Sequence, residues 1–157
     1  MIKFLNLIDT LTVAIPKKIK YNYCVKHLEN GLGFNEVGDL KKAKNVLICL
    51  HGLGGSKDMS YVVSMTNSFI DELKDEGCVI APDMPGVGDS VNTDYIWGIQ
   101  ESVADIHINE VIEYIKNNNP DAKIYAVGFS GGAGSLISYL TDDGKIIKNS
   151  LKDKLSY

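Results

Sequence analysis

The stretch IYAVGFSGGAGSL, from Ile124 to Leu136, decides how this sequence folds. It begins as an apolar run typical of a buried strand and ends as an apolar segment with the residue types of a helix. Between the two lies GFSGG, residues 128–132, in which a serine is framed by glycines. The pattern therefore predicts a strand over 123–127, a sharp turn at Ser130 and a helix over 131–140.

The same order of elements occurs upstream of this stretch. VLICL (46–50) and CVIAP (78–82) are short apolar runs typical of strands buried on both faces. Helices are predicted over 60–73 and from 102 to about 116. The apolar stripe of the first of these helices comprises Val62, Val63, Thr66, Phe69, Ile70 and Leu73.

Strands that alternate with helices predict an α/β fold with a mostly parallel sheet, flanking helices and right-handed crossovers. The segment YNYCVKHL (21–28) alternates weakly and ends near Asn30-Gly31, so we expect one or two antiparallel edge strands before the parallel ones. The whole chain, 1–157, is predicted to form a single domain. Residues 1–20 form a separate N-terminal helix or arm in this prediction.

Composition excludes several function classes. Apolar residues make up 45% of the chain and charged residues 23%, as in ordinary globular proteins, and the net charge is −4. The sequence contains no arginine, which argues against nucleic-acid binding. Lysine clusters near residues 17–20 and 41–44 are interpreted as solvated loop faces. We expect no nucleic-acid partner.

The three cysteines, Cys24, Cys49 and Cys78, lack the spacing of a metal site. Cys49 and Cys78 lie in or beside apolar runs, where a thiol acts as a small buried hydrophobe. Reduced cysteines favour a cytoplasmic location, and no stretch reaches the length of a membrane span. The N-terminal segment leaves a membrane contact open. We expect neither a metal nor a cofactor.

The motif Gly128-Phe129-Ser130-Gly131-Gly132 carries the chemistry. A serine on a strained turn between a strand and a helix needs neighbours without bulk two residues away, which G-x-S-x-G provides. The turn lifts the hydroxyl from the backbone at a helix N-terminus, so Ser130 is the predicted nucleophile. The alternative is a phosphate-binding turn, but neither the P-loop pattern nor G-x-G-x-x-G is present.

The loop His51-Gly52-Leu53-Gly54-Gly55 follows an earlier strand and predicts the other half of the site. Acyl transfer needs two N–H groups aimed at the developing oxyanion. Gly131, after the nucleophile, and Leu53, after His-Gly, are the predicted donors. His51 is interpreted as a residue that shapes the loop rather than as a base. Asp83, in the loop DMPGVGDS (83–90), is interpreted as a brace rather than as a catalytic acid.

Together, HGLGG, D-x-P-G-x-G-x-S and GFSGG resemble the N-terminal half of the α/β-hydrolase superfamily. HGLGGSKDMSYV and VGFSGG are most similar to its embryogenesis-associated-protein-like branch, and the resemblance covers about Val46 to Leu140. It implies a partial α/β-hydrolase fold, truncated after the nucleophile helix. It also implies a carboxylesterase or acylglycerol lipase that acts on a small-molecule ester or a lipid.

In that family the acid and the histidine of the triad follow the nucleophile, whereas His27, His51 and His107 all precede Ser130. Three explanations stay open: one half of a split hydrolase, a noncatalytic pseudoenzyme or interaction module, and a homo-oligomer that exchanges its ends. Each leaves a sheet edge that a partner chain or a second copy would complete. Little esterase activity is expected of the chain alone.

Overall fold

The computed structural model describes residues 18–90 and 101–141, with no side-chain description for 101–106. The predicted arm over 1–20 therefore lies almost entirely outside the described residues. The described elements in chain order are β1 (Tyr23–His27), β2 (Gly33–Val37), β3 (Asn45–Leu50), α1 (Ser60–Leu73), β4 (Gly77–Pro82), α2 (Glu101–Asn118), β5 (Lys123–Gly128) and α3 (Gly131–Leu140). Two short 3-10 turns span Lys74–Glu76 and Gly88–Ser90.

The strands form one mixed sheet in the order β1-β2-β4-β3-β5. β3 pairs in parallel with β4 and with β5, while β2 is antiparallel to both β1 and β4. The predicted α/β architecture is confirmed, and the segment before β3 supplies two antiparallel strands. Because β3, β4 and β5 are parallel, their carboxyl ends meet at one edge of the sheet, where ligands bind in folds of this kind.

Alternation along β3 builds two apolar cores, one on each face of the sheet. Val46 and Ile48 pack in the cluster that includes the buried face of α2, while Leu47 and Cys49 pack in the cluster that includes α1. Cys49 and Cys78 are buried free thiols, as predicted, and burial raises the pKa of Cys49 to about 12. Both central strands are therefore fixed from both sides.

The buried face of helix α1 differs from the predicted one. Phe69 and Leu73 of α1 are only half-buried, whereas Asn67 is buried. The Asn67 Oδ1 atom accepts a hydrogen bond from the Lys20 N–H, and its Nδ2 donates to the Lys18 carbonyl, each at 3.0 Å. Asn67 therefore ties the chain that enters β1 to helix α1.

β5 lies at the end of the described sheet, and no described strand pairs with its outer edge. Its burial is correspondingly incomplete, with Tyr125 37% exposed, and on the helix that follows it Ile137 is 62% exposed. Among the described residues, no helix has both the length and the apolar character needed to cross a membrane. The strand that precedes the predicted nucleophile is thus the least covered of the parallel strands.

Candidate active site

The turn after β5 holds Ser130 at φ 51° and ψ −113°, a backbone conformation that L-residues rarely adopt. A Cβ atom at Gly128 would stand 2.4 Å from the Gly132 carbonyl carbon, and one at Gly132 would stand 2.5 Å from the His51 carbonyl oxygen. Side chains at either position would collide with backbone. The prediction that the residues two positions before and after Ser130 must lack a side chain is therefore confirmed.

The Ser130 side chain does not cap the helix that follows it. Ser130 occupies the N-cap position of α3 but makes no capping hydrogen bond through its side chain, and the residue is exposed. Its carbonyl accepts the N–H groups of Ala133 and Gly134 at 3.0 and 3.1 Å. The backbone is thus fixed while the hydroxyl lies at the positive end of a helix dipole.

The loop after β3 packs directly against this turn. A Cβ atom at Gly52 would lie 3.1 Å from the Ser130 Cβ, and one at Gly131 would lie 3.2 Å from the Leu53 backbone nitrogen. In residues 18–90 and 101–141, neither Leu53 N–H nor Gly131 N–H donates to a backbone or side-chain acceptor. The structure therefore brings Ser130, Leu53 and Gly131 together, with both N–H groups available for an anionic oxygen.

His51 is buried and both of its ring nitrogens are occupied. Nε2 accepts the Met84 N–H at 2.9 Å, so Nδ1 carries the proton and donates to the Gly52 carbonyl at 2.7 Å. A histidine bound in this way has no nitrogen left to take a proton from Ser130. The geometry supports the interpretation of His51 as a residue that shapes the loop.

An ion cluster centred on the buried side chains of Lys57 and Asp83 joins the loops that follow β3 and β4. Asp83, which is fully buried, accepts the Lys57 N–H at 2.7 Å and lies 3.0 Å from Lys57 Nζ. The same ammonium group lies 2.6 Å from Asp89 and 3.2 Å from Asp58. Burial disfavours the charge on Lys57, but hydrogen bonds to Asp89 and Asp83 outweigh that cost and raise its pKa. Asp83 is a brace, as interpreted from the sequence.

The D-x-P-G-x-G-x-S pattern is explained by contacts with this aspartate. Gly88 has φ +53°, and a Cβ atom there would lie 2.2 Å from Asp83 Oδ2. The Ser90 hydroxyl accepts the Gly33 N–H at 2.8 Å and donates to the Asp83 carbonyl at 3.1 Å. The second loop therefore fixes turns and contributes no side chain to Ser130.

Two residues of this region were not identified from the sequence. Lys57 stands in an otherwise polar loop, and nothing local indicates that its ammonium group is buried. Tyr61, in the first turn of α1, accepts the Gly52 N–H through its hydroxyl at 3.1 Å. Its ring also packs on Phe129, with centroids 4.8 Å apart. Both roles depend on tertiary contacts that leave no local signal.

The other two histidines lie elsewhere. His27 is on exposed β1, with Nε2 3.2 Å from the Asp89 carbonyl. His107 is buried in α2, with Nδ1 3.6 Å from Glu110, and burial lowers its pKa to about 4. No hydrogen bond between a histidine and Ser130 occurs in the described part of the chain. Nor do its described residues contain a group of three potential metal ligands of the His, Cys, Asp or Glu type.

A strained serine turn beside a glycine-rich loop, both at the carboxyl ends of parallel strands, is typical of the alpha/beta hydrolase fold family, whose model matches residues 45–149. The chain belongs to this family. No curated protein matches the sequence.

Similar solved structures include the Pyrococcus furiosus esterase Pf2001, with a TM-score of 0.63, 18% identity, and coverage of 90% of this chain and 51% of that one. Est1E of Butyrivibrio proteoclasticus with bound ferulic acid has a TM-score of 0.55 and 22% identity, covering 76% and 47%. A thermostable Bacillus coagulans carboxyl esterase in complex with glycerol has a TM-score of 0.56 and 17% identity, covering 79% and 41%. The chain thus spans about half the length of these structures, and the likeness is one of fold.

Proposed function

We propose that this chain carries the nucleophile and the oxyanion hole of a serine hydrolase that cleaves carboxylic esters. One observation carries the proposal: Ser130 is held in a strained turn with two backbone N–H groups, those of Leu53 and Gly131, beside it. A turn used only for folding would not need an exposed hydroxyl beside unoccupied donors. Esterases among the similar folds, and motifs like those of the embryogenesis-associated-protein-like branch, support the same class.

The reaction follows from these groups. The Ser130 hydroxyl attacks the ester carbonyl carbon and passes its proton to a base, which gives a tetrahedral intermediate. The negative charge on its oxygen is stabilised by the N–H groups of Leu53 and Gly131. Collapse of the intermediate releases the alcohol, which receives the proton from the base. Water then attacks the acyl group on Ser130, again through the base, and the acid product leaves.

We further propose that the base and its orienting carboxylate are supplied from outside this chain. His51 and His107 are buried in other roles, and His27 contacts the loop at Asp89. The outer edge of β5 is the natural point of entry, because a strand paired there would bring its own carboxyl end beside Ser130. A partner chain, a second copy or a longer polypeptide could provide it.

A second candidate function is supported by the same edge. With Tyr125 and Ile137 exposed beside a strand that has no described outer neighbour, the chain has the features of a noncatalytic interaction module. In such a module Ser130 would be only a part of the turn, and its hydroxyl would have the reactivity of an ordinary serine. The free thiols support a cytoplasmic location for either function.

Labelling with a fluorophosphonate probe in the presence of imidazole, which stands in for the base that the chain lacks, separates the two candidates. The proposal predicts one adduct on the folded chain that is absent after unfolding in urea and absent in Ser130→Ala. Ser138→Ala is the matched control, since it removes a serine hydroxyl from α3 away from the turn and leaves labelling intact. No labelling of the folded chain, or labelling that survives Ser130→Ala, contradicts the proposal.

The missing base gives a second test. Imidazole is small enough to act as a base in trans, so hydrolysis of a p-nitrophenyl ester should rise with imidazole concentration more steeply in the wild-type chain than in Ser130→Ala. The variant measures the background reaction of imidazole with the ester. Equal slopes in the two proteins would show that Ser130 does not respond to a base.

A further inference from the structure

Tyr61 contacts both halves of the candidate site. Its hydroxyl accepts the N–H of Gly52, the residue before the predicted donor Leu53. Its ring packs at a 52° tilt on Phe129, the residue before Ser130. The side chain therefore links the loop after β3 to the turn after β5 through one hydrogen bond and one ring contact.

The two peptide groups that meet at Gly52 are both anchored, the first by Tyr61 and the second by Gly55 and His51. The Gly52 N–H donates to Tyr61, and the Gly52 carbonyl accepts the Gly55 N–H at 3.0 Å as well as His51 Nδ1 at 2.7 Å. The Gly52 carbonyl and the Leu53 N–H belong to one planar peptide group, so fixing the former fixes the direction of the latter.

The loop is also shaped around the hydroxyl group. A Cβ atom at Gly55 would stand 2.8 Å from the Tyr61 hydroxyl oxygen, and one at Gly52 would stand 3.6 Å from it. The residue at 55 must therefore lack a side chain for the tyrosine hydroxyl to reach the backbone. The Tyr61 oxygen makes the shortest of the three contacts that a Cβ atom at Gly55 would have, ahead of the Gly52 carbonyl oxygen at 3.1 Å and Met59 Cγ at 3.3 Å.

We propose that Tyr61 is a positioning residue, whose hydroxyl anchors the His51–Gly52 peptide group and thereby steadies the adjoining Gly52–Leu53 peptide group, so that the Leu53 N–H stays directed at the oxygen bound beside Ser130. The inference rests on the proposed function, because it assigns a role in the same oxyanion hole. It predicts that loss of the hydroxyl slows the chemical step at Ser130 while binding of the reagent and the fold persist.

The test compares Tyr61→Phe with Tyr21→Phe in the full chain. Tyr61→Phe keeps the ring on Phe129 and removes only the hydroxyl. Tyr21→Phe removes a hydroxyl that bonds to Asp71 at the other end of α1. For a fluorophosphonate with imidazole present as the base, the maximal labelling rate of Tyr61→Phe should fall about tenfold, less than the loss expected when a donor itself is deleted. The half-saturating concentration should stay unchanged, and Tyr21→Phe should label like the wild type.

Amide hydrogen exchange tests the anchoring without any reaction. The Gly52 amide should exchange at least about tenfold faster in Tyr61→Phe, because its acceptor is gone, and at the wild-type rate in Tyr21→Phe. An unchanged Gly52 exchange rate, or an unchanged maximal labelling rate in Tyr61→Phe, overturns the inference. A wild-type chain that fails to label contradicts the proposed function, and the exchange data then still decide whether Tyr61 holds the loop.

Discussion

The loops after β3 and β4 are fastened by buried side chains, whereas the turn after β5 is fastened by the absence of side chains. Lys57 and Asp83 hold the first two loops through hydrogen bonds and opposite charges. At the turn, Gly128 and Gly132 let backbone approach backbone at distances that no side chain would permit. The loops after β3 and β4 are therefore sensitive to the loss of a charge, whereas the turn after β5 depends on volume alone.

This difference suits the parts that the two regions have in the proposed chemistry. An oxyanion loop has to keep N–H groups in place, and buried polar contacts fix a backbone without adding bulk near the reacting atoms. A nucleophile turn has to keep its hydroxyl exposed, so its order comes from steric fit beneath it. Variants that add volume should disturb the turn after β5, and variants that remove a charge should disturb the loops after β3 and β4.

Gly132→Ala should have the largest effect. Its methyl group would meet the His51 and Leu50 carbonyl oxygens, at 2.5 and 2.8 Å. We expect a loss of about 3–5 kcal/mol in the free energy of unfolding, measured by urea titration. Gly134→Ala is the control, because a Cβ there has nothing within 4 Å. It should raise stability by about 0.5–1 kcal/mol through helix propensity. Equal effects of the two substitutions would contradict the steric account.

Lys57→Met should remove the cation of the ion cluster that joins the loops after β3 and β4. It leaves Asp83 buried without its cation, and removing one partner of a buried ion pair costs about 3–4 kcal/mol. Lys44→Met is matched to it, because the Lys44–Glu76 pair is exposed and its loss should cost at most about 0.5 kcal/mol. If Lys57→Met unfolds at the same urea concentration as Lys44→Met, the cluster does not hold the loops.

His107 provides a pH effect on stability that is independent of both the Lys57–Asp83 cluster and the glycine contacts of the turn. Burial lowers the pKa of this histidine to about 4 in the folded chain, below its ordinary value of 6.5. Between these values the unfolded state binds more protons, so His107 contributes stability that is full above about pH 6.5 and is lost as the pH falls to 4. We expect it to account for about 2–3 kcal/mol of the decline.

The measurement for His107 is a set of urea titrations from pH 7 to pH 4 on the wild type and His107→Gln. The variant should show a shallower decline over this range. Glu110, which lies 3.6 Å from the His107 ring, would reduce the difference by stabilising the protonated form. Parallel pH profiles of the two proteins would show that the histidine is not desolvated in the folded state.

Ser90→Ala should have the smallest effect, because it removes hydrogen bonds without removing a charge. Gly33 N–H would lose its buried acceptor and the Asp83 carbonyl would lose a donor. We expect a loss of about 1–2 kcal/mol in urea unfolding, clearly less than for Lys57→Met. A loss as large as that of Lys57→Met would mean that hydrogen bonding, not charge, holds this pair of loops.

Much of the fold was predictable because its signals are local. The helix over 60–73 and the helix over 131–140 have the bounds that the sequence predicts, and the parallel strands differ by about one residue at their ends. Period and glycine placement encode these elements directly. The turn at Ser130 was predictable for the same reason, since the G-x-S-x-G spacing expresses a steric requirement within five consecutive residues.

What was not predictable depends on contacts between distant segments. The Lys57 side chain meets Asp83 and Asp89 only after β4 is placed beside β3. Asn67 interrupts an apolar stripe because its amide binds backbone that precedes β1. Tyr61 likewise acquires its role only when Gly52 and Phe129 come together. A polar residue on a buried helix face gives no local indication of its partner.

The most direct test of the central claim is the position of the fluorophosphonate adduct that forms on the folded chain in the presence of imidazole as the base, determined by peptide mass spectrometry. The account predicts modification at Ser130 in the folded wild type and slower modification in Gly132→Ala under conditions in which this variant remains folded. It predicts no modification of the wild type unfolded in urea or of Ser130→Ala. An adduct spread over several serines and tyrosines, or located anywhere other than Ser130, would contradict it.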